Sequence, residues 1–202
     1  MKQAGHARPQ WNGATGWWEL TAAALLAYLA GPSPIGVRLA QPSLAVHMLI
    51  EHLLLVAAGA LAALGIARLI PTLTRLPQRA GGAAAATAVL LVGFWHLPAA
   101  FDAALANVPV HAVMHLSYVA AGFALMLGVP RLSPFGRMVL CLGAQSLMGV
   151  LALAMISGAL VYAWYPPAQS TVAGAAMFVA MQMALPIFVV WPHRLRVLTR
   201  PA

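Results

Sequence analysis

The sequence predicts an all-α integral membrane protein, a bundle of about six transmembrane helices with both termini in the cytoplasm. Apolar residues make up 62% of the 202 positions and charged residues only 7%, whereas roughly a quarter of the residues in a soluble domain are charged. The apolar residues gather in long runs, and Lys and Arg lie outside these runs or at their ends. A chain of this length suits one helical bundle without a second, soluble domain.

Six apolar segments are predicted to cross the membrane. Five of them contain the roughly 20 apolar residues that a spanning helix needs, at residues 44–70, 80–100, 111–130, 138–162 and 172–192. The sixth, residues 17–31, is shorter and stops before Pro32 and Pro34, because proline breaks helices. The predicted organisation is therefore a tail at 1–16, a transmembrane domain at 17–192 and a tail at 193–202.

The basic residues predict how this bundle is oriented. Ten of the eleven Lys and Arg residues lie in the two tails and in the connections around 68–79 and 131–137, and the opposite side has only Arg38. Basic residues concentrate in cytoplasmic loops, so both tails are predicted to be cytoplasmic. The expected location is a bacterial inner (plasma) membrane, where the lipid bilayer surrounds the helices.

Charge and cysteine content exclude several function classes. The net charge of +8 does not indicate nucleic-acid binding, because the basic residues follow the ends of the spans as membrane topology requires. Cys141 is the single cysteine, which excludes an intrachain disulfide and any CxxC metal or redox motif.

Five histidines lie in three of the predicted spans, and the topology places all of them toward the outer side. They are His47, His52, His96, His111 and His115. Ionisable residues inside spans are costly and are candidates for function by default. Five histidines at one depth on three helices predict a functional site in the outer leaflet.

Spacing indicates that this site binds a metal ion. His111 and His115 are four residues apart, so both project from one helix face and can hold one ion. His47 and Glu51 share a face in the same way. We expect Glu51 to contact a histidine or the metal rather than lipid, because an unpaired carboxylate at this depth is expensive.

The neighbouring residues bear on which metal is bound. Met48 and His52 also share a face, whereas His47 and His52 are about 140° apart on an α-helix and need not share an ion. Imidazole suits Zn, Cu, Fe or Ni, and the thioethers of Met48 and Met114 favour Cu(I).

The stretch WHLPAAFDAALANVPVHAVMHLSYVAAGFAL resembles the CtaG family of cytochrome c oxidase assembly factors. The family has a Trp-His-x-Pro, an aromatic-Asp-x-Ala, and paired histidines opening a helix with an Ala-Gly. The matching residues are Trp95, His96, Pro98, Phe101, Asp102, His111, His115, Ala121 and Gly122. HMLIEHLLL is similar to the family's His-Met-x-x-x-His segment, LVYAWYPP to its Tyr-rich helix end, and VAGAAMF to its Ala-Gly-x-x-Met segment.

This resemblance implies a role in delivering copper to the Cu-B centre of a haem–copper oxidase, with oxidase subunit I as partner and Cu(I) as the ion. The histidines, Met48, Glu51 and Asp102 are then the candidate ligands. The chain departs from the family in being shorter, in having Glu51 where glutamine is usual, and in having Gln169, Ser170 and Thr171 where an Asp-Gln often stands. These features predict a short, divergent member.

Two other functions fit the same residues. A haem b electron-transfer protein needs one histidine from each of two facing helices, and several pairs here qualify. A zinc-dependent intramembrane hydrolase would use three histidines on zinc with Asp102 or Glu51 as the general base. An assembly role is favoured over catalysis.

Overall fold

The computed structural model describes the backbone of residues 13–31, 33–40, 42–70 and 77–199, and within these ranges it contains α-helices and no strand. The predicted all-α fold is therefore confirmed. A π-helical segment at Val46–Glu51 leads directly into α3, and a 3-10 turn at Val129–Arg131 follows α6. The α-helices are α1 (Gly13–Ala30), α2 (Pro34–Ala40), α3 (His52–Leu69), α4 (Gln78–Trp95), α5 (Pro98–Ala106), α6 (Val108–Gly128), α7 (Pro134–Ile156) and α8 (Pro167–Thr199).

Three of the described helical segments are long and apolar enough to cross a membrane. They are Val46–Leu69, Val108–Arg131 and Pro134–Ile156, and the bent pair Arg79–Trp95 with Pro98–Ala106 makes a fourth if the two halves form one span. These segments fit a membrane protein. The six spans and their orientation stay predictions.

The apolar run predicted at 80–100 is not one continuous helix. It breaks between α4 and α5, whose axes differ in direction by 71°. The cause is Pro98, which opens α5: the preceding Leu97 is extended, with φ −73° and ψ 134°, as the proline ring requires of its neighbour. His96 therefore lies at the break itself, where it is the C-cap of α4.

The run predicted at 138–162 also ends early, because α7 stops at Ile156. Gly158 adopts φ +77°, the left-handed conformation that commonly terminates helices and that glycine reaches without steric cost. Residues 157–166 then form a connecting loop to α8. The predicted tails fall partly outside the described residues: α1 begins at Gly13 and α8 continues to Thr199, and 1–12 and 200–202 are not described.

Helix α3 is central to the packing, because it lies against α1 on one side and α6 on the other. Gly59 and Gly122 let α3 and α6 approach closely. A Cβ atom on Gly59 would collide with the backbone of Val119, and one on Gly122 would collide with the backbone of Val56. Small residues at such crossings allow the backbones of membrane helices to touch. The crossing brings the histidine-bearing ends of the two helices together.

An ion pair joins α1 to the far end of α3. Arg68 Nη1 lies 2.7 Å from Glu19 Oε1, and both side chains are mostly buried. Arg68, which the sequence places at the start of the connection around 68–79, lies in the last turn of α3. The apolar surroundings make the pairing of the Glu19 carboxylate important, because an unpaired charge there is expensive.

Candidate metal centre

The π-helical segment Val46–Glu51 determines how the first histidines are arranged. In a π-helix the backbone bonds join residues five apart, so such residues lie nearly above one another. His47 and His52 are five apart, and their ring centroids are 5.7 Å apart. Both are buried. On the α-helix that we expected, the two residues would lie about 140° apart around the helix axis. The segment is a π-helix instead, so this predicted angle is wrong.

Glu51 lies among three imidazoles, which together with it we call the Glu51 cluster. Its Oε1 is 2.5 Å from His115 Nε2 and 3.8 Å from His111 Nε2, and its Oε2 is 3.5 Å from His47 Nε2. The side chain is 6% exposed. The expectation that Glu51 faces histidines rather than lipid is confirmed.

Three members of this cluster form a group that could hold a metal ion. One donor atom each from His47, Glu51 and His111 lie within 4.8 Å of one another. The Nε2 atoms of His47, His111 and His115 all face this carboxylate, and the shortest of the three separations, from His115, is a hydrogen-bond distance. Imidazole nitrogens and carboxylate oxygens are both common metal ligands, so a cation held here would be bound by nitrogen and oxygen together.

His111 and His115 come together as their spacing predicts, with ring centroids 4.3 Å apart. They also line a cavity of about 520 Å³ between α1, α3 and α6. Its other walls are mostly apolar and include Ala27, Leu55 and Val108. Gly31 borders it as well, and a Cβ there would lie 3.1 Å from His115 Nδ1. The cavity therefore gives the Glu51 cluster an open side.

Tyr165 in the α7–α8 loop fixes the ring of His47. Its hydroxyl is 2.9 Å from His47 Nδ1. Burial, and secondarily the charge of Glu51, raise the pKa of Tyr165 to about 12, so the phenol keeps its proton at neutral pH. Histidines that ligate metals usually bond a polar group through the other ring nitrogen. The Tyr165 oxygen can accept such a bond from the N–H of His47 Nδ1, which leaves the unprotonated Nε2 toward Glu51.

His96 is oriented by the break after α4. Its backbone N–H bonds the carbonyl of Gly93, which frees the carbonyl of Val92 to accept a 2.7 Å hydrogen bond from His96 Nδ1. A carbonyl only accepts, so Nδ1 carries the proton and Nε2 has the free lone pair. Tyr162 adds a bond from its hydroxyl to the His96 carbonyl at 2.5 Å.

The ring of His52 lies next to the rings of both His96 and His47. His52 is 3% exposed, and its ring stacks on Tyr118 with centroids 4.0 Å apart and planes 22° apart. The ring centroids of His52 and His96 are 5.3 Å apart. We call these two residues the His52–His96 pair. It is contiguous with the Glu51 cluster through His47.

The remaining predicted ligands have other surroundings. Both carboxylate oxygens of Asp102 accept a bond from the Ala163 N–H, at 3.2 and 3.1 Å, so Asp102 anchors the α7–α8 loop and is not one of the three grouped donors. Met48 and Met114 are buried in the apolar core.

Gln169 at the start of α8 holds the beginning of the site helix. Its Oε1 accepts a bond from the Leu44 N–H at 2.8 Å, and its Nε2 donates to the Pro42 carbonyl at 3.1 Å. In the sequence, Gln169 stands out only as a departure from the CtaG family pattern. The positioning roles of Gln169, Tyr165 and Tyr118 were missed, and no local sequence signal reveals them, because their partners are distant in the chain.

The fold and the cluster define a helical protein with spans of membrane-like composition and a candidate metal centre built from histidine and glutamate. Residues 24–192 match the family described as "Protein of unknown function (DUF1404)", and this is more than half of the chain. The chain belongs to that family. Neither a curated protein nor a solved structure matches it.

Proposed function

We propose that this protein is a membrane assembly factor that binds copper at the Glu51 cluster and helps insert it into a haem–copper oxidase. The observation that supports this most is the convergence of donor atoms from His47, Glu51 and His111 to within 4.8 Å, with the Nε2 atom of His115 also facing the carboxylate. Imidazole nitrogens are suitable ligands for copper. The choice of copper and of an oxidase rests on the resemblance to the CtaG family.

The geometry suits a transferable ion. The grouped donors are two imidazoles and one carboxylate, and His111, one of the two, borders an open cavity together with His115, so a carrier or an acceptor has an approach to the ion. A fully enclosed site with four fixed ligands would favour permanent, structural binding. Copper is here the cargo, and the protein's part is to hold it in a defined place and release it.

The arrangement is less favourable for haem b. A haem with two axial histidines needs a flat gap between the rings. Between His47 and His111, whose ring centroids are 5.8 Å apart, the Glu51 carboxylate faces both Nε2 atoms. This carboxylate leaves no gap for a porphyrin between these two histidines.

A zinc-dependent intramembrane hydrolase is the second candidate, and one observation favours it. Two histidines and a glutamate are also the protein ligands of some catalytic zinc sites, which keep the fourth position for water. Metal analysis of the protein purified from membranes separates the candidates: copper retained after loading supports assembly, and zinc retained with copper excluded supports the hydrolase.

The assembly function is tested in a host that depends on this protein, by measuring copper per oxidase and oxidase activity. Replacing either His111 or His115 by Ala removes an imidazole from the Glu51 cluster, and we expect oxidase that contains haem but has an under-filled copper centre. Loss of one ligand should weaken copper binding by at least about 10-fold. His193→Ala, near the end of α8 and remote in sequence from the cluster, is the matched control and should behave as wild type.

Full copper occupancy and normal oxidase activity in both the His111→Ala and His115→Ala strains would contradict the proposal. Loss of haem together with copper would also count against it, because nothing at the site predicts haem delivery.

A further inference from the structure

His52 is a buried imidazole with no hydrogen-bond partner among the residues that the structure describes. It is 3% exposed, and neither Nδ1 nor Nε2 bonds any described residue. Burying such a polar group without a partner costs free energy. Ring stacking on Tyr118 accounts for the position of the ring but satisfies neither nitrogen. A ligand that accepts an imidazole lone pair would satisfy one of them.

His96 presents a second lone pair beside it. Because its Nδ1 proton is donated to the Val92 carbonyl, the unprotonated nitrogen is Nε2, the form in which histidine ligates metals. With a metal–nitrogen distance of about 2.0 Å and a ring radius of about 1.1 Å, two imidazoles on one ion have centroids up to about 6 Å apart. The centroids of His52 and His96 are 5.3 Å apart.

We propose that the His52–His96 pair is a second Cu(I) position, distinct from the Glu51 cluster and adjacent to it. The inference rests on the proposed function in its choice of metal. Two imidazoles in an aromatic surrounding, with Tyr118 stacked on one ring and Phe101 at 6.0 Å, favour an ion that accepts few ligands. Cu(I) does so, whereas Zn²⁺ seeks four.

The histidine rings form a continuous series. Centroid distances are 5.8 Å from His111 to His47, 5.7 Å from His47 to His52, and 5.3 Å from His52 to His96. Each of these distances is below the upper limit of about 6 Å for two imidazoles on one ion. A copper ion entering at the cavity therefore passes to the second position by exchanging one imidazole at a time, with no change of oxidation state.

The test is Cu(I) titration of the detergent-purified full chain against a chromophoric Cu(I) chelator. The wild type should bind two equivalents, the second more weakly because two nearby cations repel each other. His52→Phe keeps an aromatic ring against Tyr118 and should lose only the second equivalent. A variant with Glu51→Gln, His111→Ala and His115→Ala, which disables the Glu51 cluster, should keep one equivalent.

Two further substitutions, each added to the variant that lacks the Glu51 cluster, identify which histidine binds its remaining equivalent of Cu(I). Adding His52→Phe should abolish the remaining copper, and adding His47→Phe should leave it. Two outcomes would overturn the second position and leave the proposed function standing. One is residual copper that depends on His47 and not on His52. The other is a wild-type chain that binds one equivalent of Cu(I) and still binds it after His52→Phe. A wild-type chain that binds no Cu(I) would remove the proposed function itself.

Discussion

At the scale of single residues, Glu51 explains why the surrounding imidazoles converge. A carboxylate inside an apolar helix bundle is destabilising unless cations or N–H donors surround it. Three imidazoles face this one, and a metal ion bound among them would compensate its charge further. The acid and the histidines are therefore one unit, in which removing the carboxylate changes the environment of every ring.

Tyr165 gives the most direct residue-scale prediction. In Tyr165→Phe the hydroxyl bond to His47 Nδ1 is lost while the ring remains, so the tautomer and orientation of His47 are no longer fixed. We expect Cu(I) affinity to fall by about 10-fold, the lower range for loss of a group that orients a metal ligand. Tyr28→Phe is the control, because Tyr28 is exposed on α1. Unchanged affinity in Tyr165→Phe, with helix content preserved, would show that His47 needs no such support.

Sequence spacing predicts part of this site and not the rest, for a physical reason. His111 with His115, and His47 with Glu51, are four residues apart, and helix periodicity alone predicts that each pair shares a face. Tyr165 reaches His47 across 118 positions, and this contact follows from how the α7–α8 loop packs. Asp102, predicted as a ligand, bonds that loop, and the sequence alone does not distinguish a ligating carboxylate from an anchoring one.

At the scale of helices, two irregularities shape the site and differ in how predictable they are. The break at His96 follows from Pro98, whose effect on the preceding residue is local. The π-helical segment at Val46–Glu51 has no comparable residue signal. It is maintained by packing around α3 and by the bonds from Gln169 to its start. Such segments are frequent at functional sites, as here.

The close crossing of α3 and α6 predicts a large effect from a small substitution. In Gly122→Ala the added methyl group would collide with the backbone of Val56, so the helices must separate. We expect a loss of about 1–3 kcal/mol in the free energy of unfolding, as for overpacked interiors, together with weaker Cu(I) binding. Unfolding in detergent followed by circular dichroism measures the first, and chelator competition the second.

Gly143→Ala on α7 is the matched control for this crossing, because a Cβ there meets no atom within 4 Å. It should leave stability unchanged or raise it slightly, since alanine favours helices over glycine. Equal stability of the two variants would show that α3 and α6 can separate without cost.

At the scale of the whole molecule, the chain combines membrane-like composition with a polar centre. Composition alone predicts the helical class, because 7% charged residues cannot cover the surface of a soluble domain of this size. Helix ends differ in how well the sequence predicts them: Pro98 accounts for the end of α4 at Trp95, whereas α7 stops before the end of its apolar run, at Gly158. In each case the apolar run continues past the residue at which the helix ends.

The distribution of Lys and Arg predicts the membrane topology, because ten of these residues lie on one predicted side of the membrane and one lies on the other. The positive-inside tendency places the C-terminus in the cytoplasm and the α5–α6 junction at Asn107 outside. A reporter fused after Ala202 should be active only in its cytoplasmic form, and a reporter inserted near Asn107 only in its exported form. A third fusion near Pro77, beside the basic connection, should report the cytoplasm.

Under the proposed function, this arrangement determines from which side copper reaches the cluster. The α5–α6 junction adjoins the helix start that bears His111 and His115, so an exported reporter there puts the Glu51 cluster on the outer side, within reach of an extracytoplasmic copper donor. If the fusions at Asn107 and Ala202 report the same compartment, the number of spans between them is even. The six-span arrangement would then be wrong, and the cluster would have to receive copper from the cytoplasm.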